Sequence, residues 1–185
     1  MFMTFSFLDA AQQSAVDAIL SRTSVRSYDP EKTVSDEQVE ILLRAAMSAP
    51  TAMNKQPWAF IVVRDKTTLA ALAAELPYAK MLPKAQLAIV PCGDSSKFLH
   101  GEDDQLWVQD LSAAAENILV AANAIGLGGV WTSVYPHKER EEPVEKILNL
   151  PKGIIPLTII PIGYPGREYS PRDKWNPDVV HHEHW

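Results

Sequence analysis

The sequence has few of the residues that build cross-links, metal centres or hydrolase sites. Cys92 is the single cysteine among 185 residues, so neither an intrachain disulfide nor a cysteine-based metal site can form. The 5 histidines show no H-E-x-x-H or comparable spacing, and three lie in the C-terminal run HHEHW. No G-x-S-x-G motif occurs. We expect no metal site and no catalytic nucleophile, and the lone cysteine favours a reducing cytoplasm.

A basic N-terminus and long apolar runs are also missing. The start MFMTFSFLDA is not typical of a secretory signal, and no run approaches the roughly 20 apolar residues of a membrane span. A net charge of -6 argues against nucleic-acid binding, because a phosphate backbone favours a basic surface. We expect one domain over residues 1–185, with extended or frayed ends at 1–9 and 176–185, and no nucleic-acid or membrane partner.

Apolar residues at helical spacing predict five helices. Asp9 with Gln12 and Ser35 with Gln38 have the spacing of capping boxes. Two glycines at 126 and 128 would end the longest helix, which is rich in small residues and apolar nearly all round. The predicted helices cover about residues 10–21, 36–48, 66–76, 105–125 and 140–149.

Compact β-branched and aromatic runs predict four buried strands. Pro156 and Pro161 indicate that part of the last strand lies at an edge or a bulge. Pro143 fits the fifth helix only in its first turn. The predicted strands are WAFIVVR (58–64), AQLAIVPC (85–92), VWTSVY (130–135) and IPLTIIPIGYP (155–165).

A cluster of cations follows the first helix in the stretch SRTSVRSYDP. Arg22, Ser24 and Arg26 alternate, so an extended backbone places them on one face. The planar guanidinium matches phosphate oxygens and serine adds a short donor, which favours a small anionic ligand. The alternative is that these arginines lie at the surface and pair with nearby acids such as Asp29 or Glu31.

Three further segments could contact a ligand. In APTAMNKQPW, the amides of Asn54 and Gln56 could read a heterocycle edge, or could instead satisfy the loop's own backbone. GLGGVWTS precedes a strand and is not G-x-G-x-x-G, so it is not a dinucleotide motif; Trp131 at the strand start could face a ligand or belong to the core. In SPRDKWN, Arg172 and Lys174 could close over the same anion as the first cluster, or could simply be solvated.

Taken in order, these segments resemble the nitroreductase family of FMN-dependent oxidoreductases. SRTSVRSYDP resembles its R-x-S-x-R opening, and AAMSAPTAMNKQPWAFIVV resembles its A-P-S-x-x-N-x-Q-P-W-x-F signature. AAAENILVAANAIGLGGVW is similar to its central helix and next strand, and IIPIGYP with PRDKW to its last strand and basic tail. The resemblance runs from about residue 15 to 175.

The resemblance implies an α+β nitroreductase-like fold: a central, mostly antiparallel sheet of four to five strands flanked by helices. It also implies a homodimer whose extended termini embrace the partner, with two FMN sites at the interface. The implied activity is ping-pong reduction of a small-molecule acceptor, such as a nitroaromatic or a quinone, by NADH or NADPH. The chemistry takes place at flavin N5, so no side chain is expected to be catalytic.

The resemblance also implies roles for residues of this chain. Arg22 and Ser24 would bind the FMN phosphate, helped from the tail, and Arg26 would lie toward the pyrimidine end of the isoalloxazine. The 50–56 loop would line the ring and ribityl chain from the second subunit, and the backbone near Trp131 and Thr132 would face N5. The implied cofactor-binding set is Arg22, Thr23, Ser24, Arg26, Pro50, Thr51, Met53, Asn54, Gln56, Trp131, Thr132, Arg172 and Lys174.

Some features depart from the family pattern and leave other functions open. The chain is short for the family, so the lid helices of longer members are reduced. Thr51 replaces the usual serine, and Lys80 is the one counterpart of a flavin-contacting Asn and Lys pair. The alternatives are a flavin-binding, storage or sensing protein without general reductase activity, and a dehalogenating or flavin-cleaving branch of the family.

Overall fold

A computed structural model describes residues 9–185 of the chain, without the side chain of Glu102. The predicted extended segment 1–9 therefore lies, apart from Asp9, outside the described residues. The helices are α1 (Ala10–Ser21), α2 (Asp36–Met47), α3 (Lys66–Glu75), α4 (Leu106–Ala124) and α5 (Lys138–Ile147). The strands are β1 (Trp58–Val63), β2 (Leu87–Asp94), β3 (Gly128–Gly129), β4 (Thr132–Ser133), β5 (Ile154–Pro156) and β6 (Thr158–Gly163).

Local hydrogen bonds explain where the first two helices begin. The Asp9 carboxylate accepts from the backbone N–H of Gln12 at 2.8 Å, and the Gln12 side chain accepts from the N–H of Asp9 at 2.9 Å. Ser35 and Gln38 form the same reciprocal pair. Each box satisfies two N–H groups that the helix itself leaves free, and both predicted capping boxes are confirmed.

The fifth helix begins earlier than its sequence suggests. α5 starts at Lys138, so Pro143 is its sixth residue, and the prediction that this proline lies in the first turn is wrong. A proline at that position removes one backbone hydrogen bond. The helix still forms because the N–H groups of Arg140 and Glu141 both donate to the His137 carbonyl, which extends the first turn toward the N-terminus.

The strands form one antiparallel sheet. Its main order is β1-β2-β6-β3, β4 also pairs with β6, and β5 also pairs with β2. The α+β class and the mostly antiparallel sheet are confirmed. Six strands are present among residues 9–185, because the last predicted strand divides into β5 and β6 and because β3 forms just before the predicted strand 130–135. Between the pairs Ile89–Ile160 and Cys92–Pro156, β2 advances three residues and its partner four. One extra residue on β5–β6 is a bulge, as its prolines predicted.

The sheet is covered on both faces. Along β2, Leu87 and Ile89 pack with α2 and α4, whereas Ala88, Val90 and Cys92 pack on the opposite side with α3 and α5. This alternation explains why the strand reads as a continuous apolar run: both of its faces are buried. α4 lies against the sheet as the predicted central helix. Among residues 9–185, no helix has the length and apolarity needed to cross a bilayer.

Candidate functional site

The segment after α1 is held against β3. The Val25 N–H donates to the Gly129 carbonyl at 2.9 Å, and Ser24 pairs with Gly129 in a parallel bridge. A Cβ built on Gly128 would lie 2.4 Å from Val25 Cγ2, so the close approach requires glycine at this position. The backbone of the arginine segment is therefore placed by β3.

The arginine segment buries two of its apolar and aromatic side chains and leaves its polar ones more exposed. Val25 and Tyr28 are buried, and the Tyr28 hydroxyl donates to the carbonyls of Val25 at 2.9 Å and Pro161 at 3.1 Å. Burial is the main reason that the pKa of Tyr28 is raised well above its usual range. Ser24 is half-buried and Arg26 is exposed. These predicted ligand-binding side chains are therefore more accessible than Val25 and Tyr28.

Arg26 lies at a cleft of about 430 Å³, which we call the cationic cleft. The walls include Lys80, Arg140, Trp131 and Thr132. The structure thus brings together Arg26, Trp131 and Thr132, which were predicted for one site, with Lys80 beside them. Arg140 was not predicted, because it lies in the acidic stretch KEREEPVEK and belongs to no recognisable motif.

The charges of the cationic cleft are not balanced locally. No aspartate or glutamate among the described residues lines it, and none of the ion pairs of residues 9–185 includes Arg26, Lys80 or Arg140. Lys80 Nζ donates to the Ala73 carbonyl at 3.2 Å, and Arg140 Nη1 to the Ser133 carbonyl at 3.3 Å. Three cations in one cleft of an acidic protein favour an anionic ligand.

Arg22 has a different partner from the one that its neighbours in sequence suggested. Its Nε lies 3.1 Å from Glu116 Oε1 on α4, whereas Asp29 is near Lys32, with 3.8 Å between Nζ and Oδ2. The side chain of Arg22 is 19% exposed. Because a guanidinium carries several N–H donors, the contact through Nε leaves others for a second anion. Thr23 is half-buried beside it.

A tyrosine near the C-terminus fixes the backbone of the arginine segment. The N–H groups of Arg26 and Ser27 both donate to Tyr169 Oη, at 3.1 and 2.9 Å. Partial burial tends to raise the pKa of Tyr169, but the hydrogen bond from Arg167 and these two N–H groups outweigh it and hold the pKa below its usual value. Sequence reasoning missed this contact because the partners are separated by 143 residues.

The 50–56 loop has an unusual backbone. Met53, Asn54 and Gln56 adopt φ values of 50°, 53° and 48°, a left-handed region that residues other than glycine seldom occupy. The Ala52 N–H donates to Asp110 Oδ1 of α4 at 3.0 Å, and the Gln56 N–H to Thr51 Oγ1 at 3.1 Å. The side chain of Asp110 is buried. A buried carboxylate thus anchors a strained loop.

The side chains of this loop point away from the core. Pro50, Met53, Asn54 and Gln56 are exposed, and Gln56 Nε2 donates to Asn54 Oδ1 at 3.0 Å. The two amides therefore satisfy each other in part, and this bond joins two side chains rather than a side chain and the loop's backbone. Within the described chain, residues 50–56 neither line the cationic cleft nor hydrogen-bond to residues 22–26. Their contribution from a second subunit stays a prediction.

The two basic residues of the tail lie outside the cationic cleft in the described chain. Arg172 and Lys174 are exposed, and within residues 9–185 they neither line the cationic cleft nor form an ion pair. Residues 176–185 are exposed and include one 3-10 turn, Pro177–Val179. The expected role of the tail stays a prediction.

Trp131 separates the cationic cleft from a second groove of about 550 Å³. Its Nε1 donates to Ser133 Oγ at 3.0 Å, which fixes the indole, and both residues line the two clefts. The groove is otherwise neutral: Tyr135 donates to Gln105 Oε1 at 2.8 Å within it. Trp131 is half-buried, so it forms the wall between two ligand-sized spaces.

Comparisons with known proteins show which family the chain belongs to. The sequence profile described as "Nitroreductase family" matches residues 19–84 and 70–164. A protein of Archaeoglobus fulgidus, provisionally named NADH dehydrogenase/NAD(P)H nitroreductase, is 42% identical over 176 residues, covering 94% of this chain and 99% of that protein.

Solved structures of similar chains have the same fold. A protein of Bacteroides thetaiotaomicron with the same provisional name is 45% identical, with a TM-score of 0.87 over 93% of this chain and 98% of that one. The FMN-dependent nitroreductase of Clostridium difficile is 28% identical, with a TM-score of 0.83 over 92% of this chain and 99% of that one. The profile match, these identities and the shared architecture show that the chain belongs to the nitroreductase family.

Proposed function

We propose that the protein is an FMN-dependent oxidoreductase that uses NADH or NADPH to reduce nitroaromatics, quinones or similar small acceptors. The observation that carries the proposal is the cationic cleft, in which Arg26, Lys80 and Arg140 meet without a carboxylate among the described lining residues. The family supports it, and the Clostridium difficile relative is named as FMN-dependent.

The residues present fit an anionic flavin nucleotide. The cleft volume of about 430 Å³ lies within the usual size of small-molecule pockets, roughly 300–1,000 Å³. The indole of Trp131 supplies a flat apolar wall, and the cations match a ligand with a phosphate and an electron-poor ring. Arg22, Thr23 and Ser24 would hold the phosphate, because Glu116 orients the Arg22 guanidinium while leaving donors free.

A homodimer would complete the site. Met53 of the 50–56 loop is 79% exposed, and α1 exposes Ile19 and Leu20 at 60% and 48%. A second subunit that covered these residues would remove apolar surface from water. We infer that Pro50, Thr51, Met53, Asn54 and Gln56 reach the flavin of the second subunit, and that Arg172 and Lys174 close over the phosphate.

The chemistry would come from the cofactor and its control from the protein. When bound, FMN supplies a two-electron centre that can accept hydride from NAD(P)H and deliver it to an acceptor. Arg26 would stabilise negative charge on the bound flavin, because a fixed cation in a partly dry cleft favours developing anionic charge. Trp131 and Ser133 shape the wall at which donor and acceptor would alternate, and such alternation at one place would give ping-pong kinetics.

The phosphate role of Arg22 gives a direct binding test. Arg22→Ala should weaken FMN binding by about 1.5–3 kcal/mol, the value of a charge-assisted hydrogen bond. Arg44→Ala is the matched control, because Arg44 is an exposed arginine that pairs with Glu40 on the surface of α2. Titration of flavin-free protein measures both affinities. Equal FMN affinity in Arg22→Ala and wild type would exclude the proposed contact.

Turnover separates a reductase from a flavin carrier. An oxidoreductase should oxidise NADH or NADPH steadily with menadione or nitrofurazone, and double-reciprocal plots at several acceptor concentrations should be parallel. A storage or sensing protein would bind FMN without being bleached by either nicotinamide. That result, in a preparation that retains its flavin, would contradict the proposed activity.

A further inference from the structure

We propose that Arg140 sets the reduction potential of the flavin by stabilising its reduced form. The inference rests on the proposed function, since it concerns the same cleft. Arg140 belongs to no motif of the sequence, and it enters the cleft from α5, an element far along the chain from the arginine segment. It is therefore a second, independent source of positive charge beside Arg26.

The guanidinium of Arg140 is held in place by two contacts. Nη1 donates to the Ser133 carbonyl at 3.3 Å, and the guanidinium carbon lies 5.6 Å from the centre of the Tyr78 ring. Tyr78 and Ser133 line the same cleft. A hydrogen bond on one side and a cation–π contact on the other restrict the rotamers of the side chain, while its other N–H groups stay available.

The charge of Arg140 is not cancelled by the acids of its own helix. Glu141 is buried and pairs with Lys138 at 2.7 Å, and Glu139 lies 3.5 Å from His137 Nδ1. Neither glutamate lines the cationic cleft, nor does Glu142. Arg140 therefore faces the cleft without an ion pair to any described residue.

A cation at this place acts differently on the two forms of FMN. Addition of two electrons and one proton gives a reduced ring with one more negative charge than the oxidised ring, whereas the phosphate keeps its charge. A residue that touches only the phosphate would change the affinity for both forms equally. A residue beside the ring changes their ratio, because only a differential interaction shifts an equilibrium. If Arg140 lies beside the ring, its removal should therefore change the reduction potential of the flavin.

The experiment compares three variants of the FMN-loaded protein. Arg140→Gln removes the charge, Arg140→Lys keeps it, and Lys146→Gln removes an exposed charge near the other end of α5 that lies outside the cleft. Anaerobic titration against a reference dye gives the midpoint potential. Parallel titrations of flavin-free protein with oxidised and reduced FMN give the two dissociation constants.

We expect Arg140→Gln to lower the ratio of the affinity for reduced FMN to the affinity for oxidised FMN about tenfold. This change corresponds to a reduction potential about 30 mV more negative for a two-electron couple. Arg140→Lys should recover most of the loss, and Lys146→Gln should match wild type. An unchanged potential in Arg140→Gln would overturn the inference, and so would an equal weakening of both dissociation constants. Wild-type protein that binds neither form of FMN would instead refute the proposed function.

Discussion

Asp110 is the residue whose removal most directly tests how the 50–56 loop is held. Its carboxylate is buried on α4 and accepts the Ala52 N–H at 3.0 Å. Asp110→Ala leaves that N–H without its acceptor and releases the start of a loop whose next residues include three with left-handed backbones. We expect the loop to relax and the protein to lose stability.

The magnitude follows from the value of that hydrogen bond. A hydrogen bond to a charged group contributes about 1.5–3 kcal/mol. We therefore expect Asp110→Ala to lower the free energy of unfolding by about 1.5–3 kcal/mol. Asp110→Asn should lose about half as much, because its amide oxygen can still accept from Ala52 but carries no charge.

The assay is urea unfolding followed by tryptophan fluorescence, together with FMN titration of the folded variants. Asp103→Ala is the control, since Asp103 is an exposed aspartate shortly before α4. If the loop contributes to a flavin site, Asp110→Ala should also weaken FMN binding while Asp103→Ala does not. A free energy of unfolding within about 0.5 kcal/mol of wild type, the ordinary scatter of surface substitutions, would refute the anchoring role.

Two further predictions concern the packing around the site and the core. Gly128→Ala should destabilise the protein by about 1–3 kcal/mol, the usual cost of overpacking, because the new Cβ meets Val25. In the same urea assay, the double variant with Val25→Ala should lose less stability than the sum of the two single variants. Additive losses would argue against the contact. Burial raises the pKa of the Cys92 thiol to about 12, so a maleimide should label it at pH 8 only after unfolding, and rapid labelling of the native protein would contradict its burial.

The parts of the fold that depend on near neighbours in sequence were predictable. Asp9 and Ser35 cap helices through partners three residues away, so the signal lies within one turn. The continuous apolar run of β2 predicts a buried strand, and both faces of that strand are indeed buried. The early start of α5 was missed because its first turn is completed by the carbonyl of His137, and nothing in KEREEP marks that bond.

Motifs predicted part of the cationic cleft, and they also named residues that do not line it in the described chain, such as Asn54 and Arg172. Arg26, Trp131 and Thr132 were expected in one site and do line one cleft. Glu116 and Asp110 were missed because a single acid on a long helix gives no sign of which distant group it will meet. Arg140 was missed for the same reason, because a single arginine on α5 gives no sign of which distant groups it will meet.

The visible absorption spectrum of the purified protein, before and after anaerobic addition of NADH or NADPH, tests the central claim most directly. If the cationic cleft holds FMN for hydride transfer, the protein should be yellow as isolated or after loading with FMN and removal of the excess. Either nicotinamide should then bleach the flavin band, and admission of menadione should restore it. A colourless protein that does not retain added FMN would contradict the account.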